Sequence, residues 1–125
     1  YPGKGTITPE QPYAFARAFP MATLVCAHWG GGLPFYALMP EVADTLANVY
    51  FDTAASHYLY RPDVFETTSR LVGSDRILFG SDYPLIRQRK ALEKTQDANL
   101  CPEARQAILG HNAMSLIDSR RRTRG

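Results

Sequence analysis

The sequence has few of the residues that mark disulfide-rich or membrane proteins. Its 125 residues include only two cysteines, Cys26 and Cys101, which is too few for the disulfide framework of a small secreted domain. No apolar run approaches the roughly 18 residues that cross a bilayer. Residues 1–12 also lack the apolar core of a signal peptide. We therefore expect a reducing, cytoplasmic setting and no membrane partner.

A strong charge of either sign is also missing. Fourteen basic residues against twelve acidic ones leave a formal net charge of +2. Nucleic-acid binding usually requires a basic face or stripe, and the only basic cluster here lies at residues 120–124. We expect no nucleic-acid partner. Residues 119–125 are predicted to form a basic, disordered tail, with an electrostatic docking tail as the alternative.

Three short apolar runs dominate the rest of the chain. They are MATLVCAH (21–28), NVYFDT (48–53) and RILF (76–79), and helical patterns precede, separate and follow them. Such runs between helices are typical of parallel strands in an α/β fold. Polar residues that follow the runs place the strand ends near 28, 53 and 82, at intervals close to the ~30 residues of one βα unit.

Three parallel strands cannot close a barrel, because a (β/α)₈ barrel needs eight strands and about 250 residues. The opening YPGKGTITPEQP resembles a loop entered midway. We therefore expect a segment of a longer fold, with a small open sheet as the alternative. In either case part of the sheet should lie uncovered.

Polar residues occur at the predicted ends of these strands. His28 ends the first run, Asp52 lies near the end of the second, and Asp82 follows the third. Ligands gather at this end of parallel sheets, so His28 and Asp82 are predicted to converge there. The alternatives are a helix cap for Asp82 and a hydrogen-bonded sheet-end histidine for His28. The two-residue alternation of a strand can turn Asp52 away, which leaves its role open.

The chemistry of His28 and Asp82 suits a metal-dependent hydrolase. Imidazole nitrogen and carboxylate oxygen are both zinc ligands. A bound metal lowers the pKa of water to about 7, and a neighbouring carboxylate can then take the proton.

Four further residues are candidates for substrate contact. Trp29 and Tyr83 flank the two site residues and could wall a pocket, or they could simply pack in the loops. Gly30 belongs to a triple-glycine turn that would let a substrate approach the backbone. His57 is expected in the loop that follows the second strand, on the same side as the site.

Four blocks of sequence together resemble the C-terminal part of the amidohydrolase-related family, over about residues 8–118. They are VCAHWGGGLPFY, NVYFDTAAS, DRILFGSDYPL and ILGHNAMSLI. The family comprises metal-dependent (β/α)₈ barrels and includes relatives of aminocarboxymuconate semialdehyde decarboxylase. The resemblance implies an α/β fold that is the C-terminal part, about strands 6–8 with their helices, of a TIM barrel. One barrel domain would then cover residues 1–118.

The resemblance also implies roles for the two site residues. His28 matches the sixth-strand histidine, which polarises the substrate or binds metal. Asp82 matches the eighth-strand aspartate, which holds the metal and its water and moves protons. The family's remaining ligands, a His-x-His pair and a fifth-strand histidine, would lie upstream of Tyr1.

On this resemblance the protein is a metal-dependent hydrolase in which activated water attacks an acyl carbon. The cofactor would be a divalent metal, zinc in the first instance, and this stretch alone would be inactive. The substrate would be a small carboxylic acid, ester, lactone or amide, and a homo-oligomer is an open alternative. A non-oxidative decarboxylase on the same scaffold is the second interpretation, and a non-catalytic α/β module is the third.

Overall fold

The chain folds around a three-stranded parallel sheet. In the computed structural model, which describes residues 7–124, strands β1 (Leu24–Cys26), β2 (Val49–Asp52) and β3 (Ile77–Leu78) lie in that order. Cys26 is paired with Phe51, and Phe51 with Ile77. The predicted α/β class is confirmed. Each strand is shorter than its apolar run, because only residues that pair with a neighbouring strand are held in the sheet.

Seven α-helices accompany the strands in the described part of the chain. They are α1 (Glu10–Ala18), α2 (Pro40–Thr45), α3 (Ser56–Leu59), α4 (Val64–Val72), α5 (Gln88–Asp97), α6 (Pro102–Gln106) and α7 (Asn112–Arg124). None of the helices formed by residues 7–124 is long and apolar enough to cross a membrane. The helix α7 continues through Arg124 and so includes most of the basic tail, residues 119–125; disorder of that tail in solution stays a prediction.

The helical pattern predicted over residues 33–47 is divided in the structure. Residues His28–Leu38 form a left-handed stretch followed by 3₁₀ turns, and α2 begins only at Pro40. Met39 has an extended backbone, with φ −87° and ψ 120°. This is the conformation favoured before a proline, because the proline ring crowds a helical residue in front of it.

One face of the sheet is covered by helices. Cys26, Phe51 and Ile77 line that face, and Phe51 and Ile77 are completely buried. They pack in one core with residues of the surrounding helices, among them Val42 and Phe65. The opposite face is more open, since the β1 residue Val25 on that face is 47% exposed. This agrees with the expectation that part of the sheet lies uncovered.

The C-terminal helices bond three backbone groups in and beside β3. The Asn112 side-chain amide donates to the carbonyl oxygens of Ser74, at 2.7 Å, and Ile77, at 2.8 Å. The Phe79 N–H donates to the Ile108 carbonyl at 3.0 Å, within a π-helical turn (Ala107–His111) that joins α6 to α7. These three backbone groups are therefore paired within the described chain.

Candidate active site

His28 and Asp82 meet at the carboxyl-terminal end of the sheet. The His28 Nε2 and Asp82 Oδ2 atoms lie 3.3 Å apart. His28 follows β1 and Asp82 follows β3, so the structure brings together the two residues that the sequence predicted to converge. Their side chains are 37% and 36% exposed, so a small molecule in solution can reach both.

Both residues have a left-handed backbone conformation. The φ angle is 55° at His28 and 69° at Asp82. A residue with a side chain costs about 1–2 kcal/mol in this region, and such strain persists where the surroundings impose it, often at functional sites. The left-handed stretch continues from Trp29 through three glycines, with φ between 57° and 99°. Glycine adopts this conformation readily, which explains the run of glycines after His28.

Hydrogen bonds hold the backbone of His28 on both sides. Its N–H donates to Asp52 Oδ1 at 2.9 Å, and the Tyr60 hydroxyl donates to its carbonyl oxygen at 3.1 Å. The same Asp52 oxygen accepts the Ala54 N–H at 3.0 Å. Asp52 is therefore turned toward the end of β1, which answers the question that strand alternation had left open.

A second set of bonds joins the end of β2 to the segment that carries Asp82. The Gly80 N–H donates to Thr53 Oγ1 at 3.1 Å, and the Thr53 hydroxyl donates back to the Gly80 carbonyl at 3.2 Å. Thr53 is only 3% exposed. Sequence reasoning missed both Thr53 and Tyr60. For Thr53 the available signal was a buried strand that ends in two hydrogen-bonding side chains, and for Tyr60 the sequence offered none.

Trp29 does not form the wall of a substrate pocket. Its side chain is completely buried, its indole N–H donates to Ser56 Oγ at 2.8 Å, and it meets the Phe65 ring edge-on at 5.2 Å. The pocket-wall prediction for Trp29 is corrected to a core role, because the left-handed turn after His28 directs the indole inward. Gly30 is also buried, and a Cβ there would lie 2.9 Å from a Phe51 ring carbon.

Tyr83 lies in the loop that follows Asp82, whereas His57 lies in the short helix α3 and not in the predicted loop. Tyr83 directly follows Asp82 and is 69% exposed. The Nε2 atom of His57 is buried and has no hydrogen-bond partner among the described residues. Burial lowers the pKa of His57, and the positive charges of Lys90 and Lys94 lower it further. Substrate contact by either Tyr83 or His57 stays a prediction.

The donor set fits half of a metal centre. Two ligand atoms with bonds of about 2.1 Å to one tetrahedral ion lie about 3.4 Å apart, and His28 Nε2 and Asp82 Oδ2 are separated by 3.3 Å. Within residues 7–124, however, no three His, Cys, Asp or Glu side chains are grouped to hold a metal ion. A catalytic zinc site usually has three protein ligands, so at least one further ligand would have to come from outside these residues.

Residues 5–118 match the family model described as Amidohydrolase. Solved structures with the same fold include 2,6-dihydroxybenzoate decarboxylase from Rhizobium, with 19% identity over 91% of this chain and a TM-score of 0.73. A dihydroxybenzoic acid decarboxylase from Polaromonas sp. JS666, with bound manganese and the inhibitor 2-nitroresorcinol, has 20% identity over 91% of the chain and a TM-score of 0.72. An amidohydrolase from Burkholderia multivorans with bound zinc has 16% identity over 86% of the chain and a TM-score of 0.63.

The chain spans less than half the length of these structures. The matched part is 43% of the Rhizobium enzyme, 42% of the Polaromonas enzyme and 49% of the Burkholderia protein. A search of curated protein sequences found no significant match.

Proposed function

Because the chain belongs to the Amidohydrolase family, we propose that its described strands are about strands 6–8 of a (β/α)₈ barrel. One barrel domain would include residues 1–118. The parallel order β1-β2-β3, the βα spacing and the partial coverage of the solved structures support this proposal. On this assignment the open face that contains Val25 faces the barrel interior, and the His28–Asp82 pair lies at its catalytic end.

The proposed reaction is hydrolysis of a small ester, lactone or amide. The observation that carries it is the 3.3 Å approach of His28 Nε2 to Asp82 Oδ2 at an accessible strand end. Asp82 would accept the proton from the attacking water and return it to the leaving group when the acyl bond breaks. An imidazole N–H of His28 would donate to the substrate carbonyl oxygen, which becomes negatively charged as water adds.

A divalent metal ion, with zinc as the first candidate, would supply Lewis-acid chemistry at this site when bound. Asp82 and His28 would hold it together with ligands from outside the described residues. The manganese and zinc bound in two of the similar structures support a divalent ion. The donor types of this chain, one carboxylate and one imidazole, suit both metals.

Decarboxylation of an aromatic or unsaturated carboxylic acid is the second candidate. It is favoured by the two decarboxylases among the similar structures, with TM-scores of 0.73 and 0.72. In this reaction the bond to the carboxyl group breaks and carbon dioxide leaves. Asp82, protonated from solvent before the step, would donate its proton to the carbon that lost the carboxyl group. The substrate would be a small carboxylic acid.

Two probes distinguish these reactions in the protein as encoded by its natural gene, loaded with zinc or manganese. p-Nitrophenyl acetate tests hydrolysis by nitrophenolate release, and 2,6-dihydroxybenzoate tests decarboxylation by carbon dioxide release. Asp82→Asn should lower the active reaction by about 10²–10⁴-fold, the usual contribution of a general acid or base. Asp44→Asn, at an exposed carboxylate of α2, is the matched control.

Three results would contradict the proposal. Full activity of Asp82→Asn would remove that residue from the chemistry. Undiminished activity after metal removal would exclude the metal-dependent reaction. A protein that binds neither metal nor either probe would favour the non-catalytic module. The cytoplasmic setting and a homo-oligomer stay predictions, which cell fractionation and light scattering of the purified protein can check.

A further inference from the structure

We propose that Asp52 and Thr53, adjacent at the end of β2, are positioning residues that set the approach of His28 to Asp82. The inference rests on the proposed function of that pair. Neither residue touches the reacting atoms in this assignment. Each instead holds the backbone of a neighbouring strand end: Asp52 bonds the His28 peptide, and Thr53 bonds Gly80 just before Asp82.

Asp52 controls the His28 side of the pair. One oxygen of its carboxylate accepts two backbone N–H groups, from His28 at 2.9 Å and from Ala54 at 3.0 Å. Two donors fix the direction of that carboxylate, and hydrogen bonds to a charged acceptor are stronger than neutral ones. The His28 N–H is therefore held in place while the residue has its costly left-handed conformation. Tyr60 holds the other side of the same residue through the His28 carbonyl.

Thr53 controls the Asp82 side. Its buried hydroxyl both donates to and accepts from the Gly80 backbone, so a single side chain satisfies two polar groups of the segment after β3. A Cβ at Gly80 would lie only 3.3 Å from Asp52 Cγ and 3.5 Å from the Ala54 Cβ. The Gly80 backbone thus packs directly against Asp52 and Ala54. Asp82 follows two residues later, again with a positive φ.

The central place of β2 in the sheet explains why the dipeptide Asp52-Thr53 can hold both the His28 backbone and the Gly80 backbone. β2 lies between β1 and β3, so its end is the only strand end in the described sheet with a neighbour on each side. The register pairs Cys26 with Phe51, and Asp52 with Leu78, which brings all three strand ends to one level. Loss of either side chain should shift one partner of the pair relative to the other.

The test uses the full protein encoded by the natural gene, in two pairs of variants. Asp52→Ala and Thr53→Val remove the bonding groups, whereas Asp52→Asn and Thr53→Ser keep an acceptor oxygen and a hydroxyl. Crystal structures of all four give the distance from His28 Nε2 to Asp82 Oδ2. We expect the first two variants to lengthen it by about 1 Å, and to lower kcat about 10²-fold with little change in KM. The conservative variants should keep the parental distance and most of kcat.

The distance tests the inference whether or not the proposed reaction is correct. A lengthened pair in Asp52→Ala and Thr53→Val supports the inference even if neither probe is turned over, in which case only the proposed reaction fails. An unchanged distance in both variants overturns the inference. An equal loss of kcat in Asp52→Asn and Asp52→Ala also overturns it, because the acceptor oxygen retained in Asp52→Asn should preserve most of kcat.

A folding defect would not remove the test. If Asp52→Ala does not fold, Tyr60→Phe removes only the hydroxyl that bonds the His28 carbonyl and keeps the ring. It should lengthen the pair in the same way, which would support control through the His28 backbone, and an unchanged pair in Thr53→Val would overturn the inference. Asp44→Ala, at an exposed carboxylate of α2, is the control and should alter neither distance nor kcat.

Discussion

The indole N–H of Trp29 donates to Ser56 Oγ over 2.8 Å inside the core. Ser56 in turn donates its hydroxyl to the Thr53 carbonyl, so the only polar atom of the buried indole is connected to the end of β2. Ser56→Ala should lower the free energy of unfolding by about 1–3 kcal/mol, because it leaves a buried N–H without a partner. Urea denaturation of the parent and the variant measures this loss.

A second background separates the hydrogen bond from other effects of the serine. In Trp29→Phe no indole N–H remains, so Ser56→Ala should cost less there than in the parent. The difference between the two costs is the interaction energy of the pair. Equal costs in both backgrounds would show that the bond contributes nothing to stability.

The glycines after His28 offer a matched pair of substitutions. Gly30 and Gly31 have nearly the same φ, 62° and 67°, so alanine has a similar conformational cost of about 1 kcal/mol at each. A Cβ at Gly30 would also lie 2.9 Å from a Phe51 ring carbon, whereas at Gly31 the nearest atom is Pro9 Cγ at 3.7 Å.

Gly30→Ala should therefore lower the thermal unfolding midpoint clearly more than Gly31→Ala. The overlap with Phe51 adds an overpacking cost, typically about 1–3 kcal/mol, to the conformational one. Differential scanning calorimetry of the two variants gives the comparison. Equal midpoints would mean that the Phe51 ring moves aside freely, and that backbone conformation alone selects glycine here.

Much of the fold follows from the order of apolar runs and helical patterns, since a buried parallel strand needs a continuous run and a crossover helix. The strand boundaries could not be predicted from these patterns. MATLVCAH is a nearly continuous apolar run, but only Leu24–Cys26 pair with β2. Pairing depends on which neighbour is present, and no local pattern records that.

The candidate site could also be predicted only in part. His28 and Asp82 could be found because strand ends meet at one edge of a parallel sheet. The contacts of Asp52 could not be found, since they depend on a left-handed turn at His28 that brings its N–H toward β2. The same turn buries Trp29, although His28, the residue before it, is accessible. Position along the chain alone therefore overestimated which side chains face a substrate.

His57 should make stability depend on pH. Burial, Lys90 and Lys94 hold the pKa of His57 below its ordinary value, which is about 6.5. As the pH falls below about 6.5, the unfolded chain takes up a proton at His57 before the folded chain does. The unfolded state is then favoured, so this contribution to stability is complete above pH 6.5 and is lost toward the lower folded pKa.

Thermal midpoints at pH 7.5 and pH 5.5 test this for the parent and for His57→Gln. The parent should lose more stability than the variant between the two values. Replacing both Lys90 and Lys94 by glutamine removes the two positive charges. This double variant should lose less stability between pH 7.5 and pH 5.5 than the parent does, but the loss should not disappear, because burial still lowers the pKa of His57. A variant that follows the parent at both pH values would exclude His57 as the source.

The two cysteines should differ sharply in reactivity. Burial, and to a smaller extent the negative charge of Asp52, raise the pKa of Cys26 to about 11. Cys101 is exposed, and its Sγ accepts only the Ala104 N–H within the described hydrogen bonds. Because the thiolate is the nucleophile in alkylation, Cys26 is protected at pH 8 by both its charge state and its burial.

Iodoacetamide at pH 8 should therefore alkylate Cys101 in the native protein and leave Cys26 as a free thiol. Peptide mapping by mass spectrometry assigns the label to each site. In denaturant both should react, because unfolding exposes Cys26 and separates it from Asp52. Labelling of Cys26 at the rate of Cys101 in the native protein would mean that β1 opens readily from β2, contrary to the core packing of Cys26 beside Phe51.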